Sequence, residues 1–413
     1  MLRLRSGTRA GRTAFLLVLF VVAVATLFPG SDGALTADWC LLCGAYGAAD
    51  AIRNVALFVP VGVTAALSSG SFLLAAATAP ALSLLVETAQ LAIPGRDAGL
   101  GDLIFNSIGG LIGVFIAASA PTLLAPGPQA ARRLVAAATF APLLAIGLSG
   151  AVLGIVLPPT TYYAQWTPDL GHLELYDGSV FEAKIGKRFI PPQRLQESEG
   201  VRQQLLTGAP VELRAIAGPE PAGLAPIFSI YDAHQHEIMV LGATRQTLVF
   251  RLGTRAAPLK LGIPALRYPG GLEGVRAGDT LDVRVSSDGD GRCFRIIATA
   301  GPRGLSRERC GIGYTVASGW QLLAPPGLGS REPALFDLLW LGILYLPLGY
   351  WIRPTGRGLY ALAVSALGLL GIPALTALVA TPVTAVVAAG AGILAGIGMR
   401  RWIAQRLSSL SET

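Results

Sequence analysis

The sequence predicts a membrane α-helical bundle of about eight transmembrane helices with an all-β sandwich inserted between the fifth and the sixth. Three observations predict it. Only 14% of the 413 residues are charged and the mean hydropathy is +0.57, whereas a soluble domain carries about 25% charge. Eight runs approach the roughly 20 apolar residues that cross a bilayer as a helix, at 14–30, 52–68, 71–93, 103–120, 134–157, 335–352, 358–380 and 382–399. Between the fifth and sixth runs, residues 158–333 hold all three histidines and most of the acidic residues, in short apolar stretches separated by turn residues. The chain thus divides into a five-helix part (1–157), the inserted segment (158–333) and three closing helices with a tail (334–413).

The first run follows Arg3, Arg5, Arg9 and Arg12. A basic start before an apolar stretch also describes a cleaved signal peptide, but this stretch is longer than a usual signal core, which favours a retained helix. Arg132 and Arg133 separate runs four and five, Arg353 and Arg357 separate six and seven, and Arg400, Arg401 and Arg406 follow run eight. With the N-terminus cytoplasmic, every one of these clusters is cytoplasmic, as the positive-inside bias requires. Both termini are then inside, and 31–51, 94–101 and 158–333 face outward. The net charge of +7 is accounted for by topology, so no nucleic-acid partner is expected. Pro373, Thr381 and Pro382 interrupt the last two runs.

Between Asp50 and Gly113, across runs two to four and the loop before run four, the chain carries most of its intramembrane polar residues: Arg53, Asn54, Glu87, Gln90, Arg96, Asp97, Asp102 and Asn106. Charged groups near hydrocarbon are costly and mark functional-site candidates that need partners. In this topology all eight fall at the outer leaflet boundary. Glu87 and Gln90 are spaced i,i+3 and Asp102 and Asn106 i,i+4, so each pair shares a helix face. Gly109 and Gly113 have the small-xxx-small spacing that lets helices approach closely, and Pro60 interrupts run two. The expected product is a small bundle with a polar pocket open outward. Plainer roles stand beside that one: Asp50 and Asp102 as N-caps, Arg53 snorkelling to lipid phosphate, Arg96 with Asp97 as an interfacial ion pair, and Glu87 in a structural salt bridge to Arg53 or Arg96.

The middle segment shows candidate strands at 225–231, 237–241, 247–252, 280–285 and 293–298, with turns between them, the pattern of a sandwich. Ser286-Ser287-Asp288-Gly289-Asp290-Gly291 has the character of a hairpin turn. His234 and His236 beside Asp232 form His-x-His, which reads as a solvated turn rather than a metal site. The four cysteines, at 40, 43, 293 and 310, are all outward, where thiols oxidise. Cys293–Cys310 is the bridge expected within the sandwich. Cys40-Leu41-Leu42-Cys43 has redox spacing without the βαβ context of a thioredoxin-like motif and reads as structural. No zinc ligand set, nucleotide loop or nucleophile elbow appears, so neither a metal nor a cofactor is expected.

Two resemblances follow. Arg53-Asn54-x3-Phe58-x-Pro60-x-Gly62, Glu87-x2-Gln90, Pro94-Gly95-Arg96 and Asp102-Leu103-Ile104-x-Asn106-x2-Gly109-Gly110-x2-Gly113 resemble the VanZ-like family over roughly 15–120. Pro226–Asp232, Glu237–Leu241, Leu248–Leu252 and Gly278–Val285 with the Asp-Gly turn resemble a LamG or concanavalin A-like jelly roll over roughly 176–325. The first implies a bacterial cytoplasmic-membrane protein of the cell envelope, linked through the family's name to reduced teicoplanin susceptibility. The second implies a glycan- or protein-binding sandwich.

Three functions fit. The first is binding of a membrane lipid or lipid-linked glycan, with Arg53 and Arg96 toward phosphate, Asn54, Gln90 and Asn106 donating hydrogen bonds, Glu87 orienting an arginine or tuning the pocket, and Asp102 among the ligand-binding residues. In the second, Glu87 with Asp97 or Asp102 serves as base and acid on a lipid-linked phosphate. In the third, the cluster locks a scaffold.

Overall fold

The computed structural model describes residues 9–28, 36–170, 173–287, 292–301, 304–324 and 333–411. Among them, eight helices are long and apolar enough to cross a membrane. The chain is therefore a multi-pass membrane protein, and its inserted segment carries two antiparallel sheets. The chain forms two compact units, residues up to Leu134 together with Leu259–Leu261, and the remainder.

The first unit comprises α1 (Arg9–Leu27), β1 (Thr36–Asp38), α2 (Gly47–Ser69), α3 (Phe72–Gln90), β2 (Asp97–Gly99), α4 (Leu100–Ala118) and α5 (Ala120–Leu124). The left-handed Gly70 closes α2, and Ser71 caps α3 by accepting from the Leu74 N–H, so a two-residue turn joins two antiparallel helices. Helices α2 and α4 touch through backbone. A methyl group at Gly62 would overlap the Gly110 carbonyl, one at Gly109 the Val55 carbonyl, and one at Gly113 the Val59 carbonyl. Gly110 lies against the Ala79 side chain of α3 in the same way. Fully buried alanines (Ala66, Ala75 and Ala79) and Phe58 fill the remaining space. Lipid supplies no hydrophobic drive between helices, so small residues that admit close van der Waals contact hold such a bundle.

The second unit opens within α6 (Pro128–Val152). Its strands are β3 (Tyr162–Trp166), β4 (Ser179–Ile185), β5 (Arg188–Phe189), β6 (Val211–Ile216), β7 (Ala225–Asp232), β8 (Glu237–Thr244), β9 (Thr247–Leu252), β10 (Leu266–Tyr268), β11 (Thr280–Ser287), β12 (Phe294–Ala300) and β13 (Leu305–Ile312). They form a five-stranded sheet in the order β10-β9-β8-β7-β3 and a six-stranded sheet in the order β13-β12-β11-β6-β4-β5. Phe250 of the first sheet meets Phe294 of the second with ring centroids 5.6 Å apart. Alternation along β6, β11 and β12 marks one buried face, whereas β7 is buried throughout. The five-stranded sheet is thus covered on both faces.

The expectation of an entirely β segment is corrected by α7 (Ser198–Leu206) between β5 and β6 and by a 3-10 turn at Ser318–Leu322. In α7 only Val201 and Leu205 are buried, too narrow a stripe to stand out by periodicity. The Cys293–Cys310 bridge is also corrected, since neither cysteine is in a disulfide. Phe294 pairs with Ile312 and Ile296 with Arg309, so a bulge at Cys310 and Gly311 faces Arg295. That register turns Cys310 toward Glu308, whose carboxylate lies 3.2 Å from its Sγ. The 288–291 part of the expected turn lies outside the described residues. Helices α8 (Pro333–Trp351), α9 (Gly356–Leu375) and α10 (Val383–Ser411) complete the unit. Gly392 and Gly396 of α10 pack on the α8 backbone at Gly342 and Leu346, repeating the device of α2 and α4.

Gly113→Ala is expected to lower the thermal midpoint of the detergent-purified protein by at least about 2 °C, a cost of order 1 kcal/mol or more from overpacking. Gly147→Ala, with nothing within 4 Å of the added methyl, is expected to leave it unchanged or raise it slightly. Paired melts of the two variants check the contrast.

Candidate functional site

Helix direction gathers the polar residues. The N-terminal turns of α2 and α4 and the C-terminal turn of α3 lie at one end of the bundle, because α3 runs antiparallel to its two neighbours. The end of α1 joins them. Gln90 Nε2 donates to the Thr26 carbonyl at 3.0 Å, and Arg96 donates from Nε to Phe28 at 2.8 Å and from a terminal nitrogen to Ala25 at 3.2 Å. A guanidinium and an amide thus satisfy carbonyls that the last turn of α1 leaves without helical donors.

The centre of the cluster is buried. Asn54 Nδ2 donates to Asp102 Oδ1 at 2.6 Å, tying α2 to α4. Glu87, 8% exposed, accepts the Gly99 N–H at 2.8 Å through Oε2. That N–H belongs to the N-cap position of α4, so the carboxylate of α3 serves the positive end of the α4 dipole. Asn106 Nδ2 donates to Ser83 Oγ at 3.0 Å. Gln90 Oε1 and Asn106 Oδ1 are buried without a hydrogen-bond partner among the described residues. The open part is the Arg53–Asp50 ion pair in the first turns of α2, whose side chains are 28% and 46% exposed.

Several expected roles change in detail. Asp102 is not the cap of α4; Gly99 holds that position, and Asp102 turns to Asn54. Tyr46 occupies the N-cap position of α2, and Asp50 pairs with Arg53. Glu87 takes a backbone N–H instead of Arg53 or Arg96, because Gly99 presents its N–H within reach. Arg96 turns to α1. The Asp97 backbone lies in β2, which pairs in parallel with β1 at Thr36↔Asp97; the Asp97 side chain lies outside the described part.

Two features had no place in the expected site. Cys40 and Cys43 are joined in a disulfide, and their loop lies over the ends of α2 and α4: a methyl at Gly101 would overlap the Leu41 carbonyl, and one at Gly47 would strike Leu42. Lys260 fastens the same loop. Its Nζ donates to the Leu42 carbonyl at 2.7 Å, while its own carbonyl accepts the Ala48 and Ala49 N–H groups at 3.1 and 3.2 Å. A lysine 218 residues away leaves no local sequence signal. In the sandwich, His234 and His236 form the β7–β8 turn, and Asp232 Oδ1 accepts both of their N–H groups at 2.8 Å. Burial pushes the Asp232 carboxyl up, but these N–H groups and the His236 ring outweigh it and hold its pKa below the ordinary value. Among the described residues no His, Cys, Asp and Glu cluster has the makings of a metal site.

Residues 6–123 match the family model described as VanZ/LLP1. The N-terminal apolar helical region is therefore a VanZ-like domain. Comparison with curated proteins gave no match, and comparison with solved structures gave none either.

A double-mutant cycle on Asn54→Ala and Asp102→Ala is expected to show coupling of about 1 kcal/mol, since the pair is charge-assisted and partly buried. The more open Asp50–Arg53 pair is expected to couple by less than about 0.5 kcal/mol. Denaturation of the four variants of each cycle in detergent measures both.

Proposed function

We propose that the VanZ-like domain binds the head group of a lipid-linked or envelope amphiphile at the outer leaflet, in a bacterial cytoplasmic membrane. Both termini are cytoplasmic in this reading, and the sandwich stands outside, where it recognises a glycan or a partner protein. One observation carries the proposal: a partly exposed arginine sits at the same end of the bundle as two buried side-chain amide oxygens without partners among the described residues. Arg53 is positioned to exchange Asp50 for a phosphate, a strong charge-assisted partner. The oxygens of Gln90 and Asn106 offer acceptors to hydroxyl or amide groups of the same head group. Unpaired buried acceptors are costly, and a ligand that donates to them recovers that cost. The amphiphile class that fits is a phosphate-headed envelope precursor, and sequestering or shielding such a molecule would alter susceptibility to a lipoglycopeptide.

A second reading has its own support. Arg53, Asn54, Glu87, Gln90, Arg96, Asp102 and Asn106 each already hold a protein partner, as expected of a cluster that only fixes the bundle.

Native mass spectrometry with lipid analysis separates the two. The wild-type protein is expected to retain a specific phosphate-headed lipid, and Arg53→Ala to lose about tenfold in its occupancy while keeping its thermal midpoint within about 2 °C. A well-folded wild type carrying no specific lipid would contradict the binding reading. Unfolding of both Arg53→Ala and Glu87→Gln, without a ligand in the parent, would favour the lock.

A further inference from the structure

The five-stranded sheet of the second unit has an inner face, marked by Phe250 against Phe294, and an opposite face. On β9 the alternation that sends Phe250 inward sends Val249 and Arg251 to the opposite face. Val249 packs there with Leu173, Leu224 and Ala265 in a small apolar cluster. Arg267 of β10 lies directly across from Val249 in the register, so Arg251 and Arg267 are diagonal neighbours on this covered face.

The two guanidinium groups have too few anions. Arg251, its side chain 15% exposed, meets Glu237 at 3.3 Å through one terminal nitrogen, and its Nε is buried with no hydrogen-bond partner. Among the described residues Arg267 has neither a hydrogen bond nor an ion pair, although it is mostly covered. Burial, and then the charge of Arg251, lower its pKa to about 10, so it stays charged at neutral pH. Tyr314, whose hydroxyl donates to the Pro264 carbonyl at 3.3 Å, is the other titratable group in the electrostatic reach of Arg251 and Glu237. Among the described residues, two cations and one carboxylate in a covered site leave one positive charge uncompensated, and buried charges are normally paired.

The position narrows the anion. Two residues beyond Arg251, the Gly253 carbonyl accepts the Val156 N–H just past the end of α6, and the Tyr314 carbonyl accepts the Val379 N–H between α9 and α10. The cationic pair therefore sits a few residues in the chain from segments that end membrane-crossing helices, where a lipid surface would present its phosphates. We propose that Arg251 and Arg267 form a binding site for a phosphate group, distinct from the cluster on α2, α3 and α4 and independent of its function. Forked guanidinium donors suit the several oxygens of a phosphate. The phosphate belongs either to a lipid head group or to a free ion, and one set of measurements distinguishes them.

The full-length protein would be titrated with inorganic phosphate against chloride at constant ionic strength, by thermal shift, and reconstituted into nanodiscs of phosphatidylcholine with or without phosphatidic acid for native mass spectrometry. Arg267→Met and Arg267→Lys would be compared with the parent. A phosphate-specific rise in the melting midpoint that weakens at least about tenfold in apparent affinity in Arg267→Met, and less in Arg267→Lys, supports a site for the free ion. No response to inorganic phosphate, but retention of phosphatidic acid that Arg267→Met loses, supports a lipid site. Arg267→Met is expected to melt no lower than the parent without phosphate, since it removes an unpaired buried charge. Absence of both effects in the parent, effects that persist unchanged in Arg267→Met, or a lower phosphate-free melt for Arg267→Met than for Arg267→Lys would overturn the proposal.

Discussion

The close approach of α2 and α4 governs the first unit. In hydrocarbon, each backbone N–H and C=O must be satisfied within its own helix, and helices gain little from burying apolar surface against one another. What remains is contact distance. Gly62, Gly109, Gly110 and Gly113 remove the side chains that would keep α2, α3 and α4 apart. Once the backbones touch, Asn54 reaches Asp102 and Asn106 reaches Ser83, contacts that wider spacing would break. The polar cluster is thus a consequence of the glycine contact as much as of its own charges. The hydrogen bonds in turn fix the rotation and depth of each helix, since a one-residue slip would strand a carboxylate in lipid.

The same logic explains how acidic residues persist at this end of the bundle. Each is matched to a donor that the fold leaves available: Glu87 to the N-cap N–H of α4, Asp102 to an amide, Asp50 to an arginine. Arg96 and Gln90 do the reverse for the carbonyls of α1. Helix ends supply both the demand and the answer, which is why polar residues concentrate there and leave the middle of the spans apolar. The disulfide loop and Lys260 add a cover over the starts of α2 and α4. The second unit applies the glycine device again between α8 and α10.

Much of this was legible in the chain. Long apolar runs gave the helices to within a few residues at most ends; the spacing of Gly109 and Gly113 announced a close helix contact; and the strands 225–231, 237–241 and 247–252 lie within β7, β8 and β9. The co-location of Arg53, Asn54, Glu87, Gln90, Arg96, Asp102 and Asn106 followed from topology alone. The partners did not. Whether Glu87 takes an arginine or the Gly99 N–H depends on loop geometry below the resolution of any periodicity. Lys260, Arg251 and Arg267 acquire their roles from contacts between distant segments, and the bulge that parts Cys310 from Cys293 is a register effect invisible in spacing. β4 and α7 were missed because their patterns are short and half-exposed.

The central claim is that one end of α2 contacts a particular head group while the other meets only bulk lipid. Ile52 and Leu67 are both exposed residues of that helix, 46% and 44%, at opposite ends. A photo-crosslinking amino acid at each position, activated in native membranes and followed by mass spectrometry of the adducts, tests the claim directly. A phosphate-headed amphiphile captured at 52 well above its abundance in the membrane, and not at 67, is the predicted result. The same lipid mixture at both positions, in proportion to the membrane composition, would contradict it.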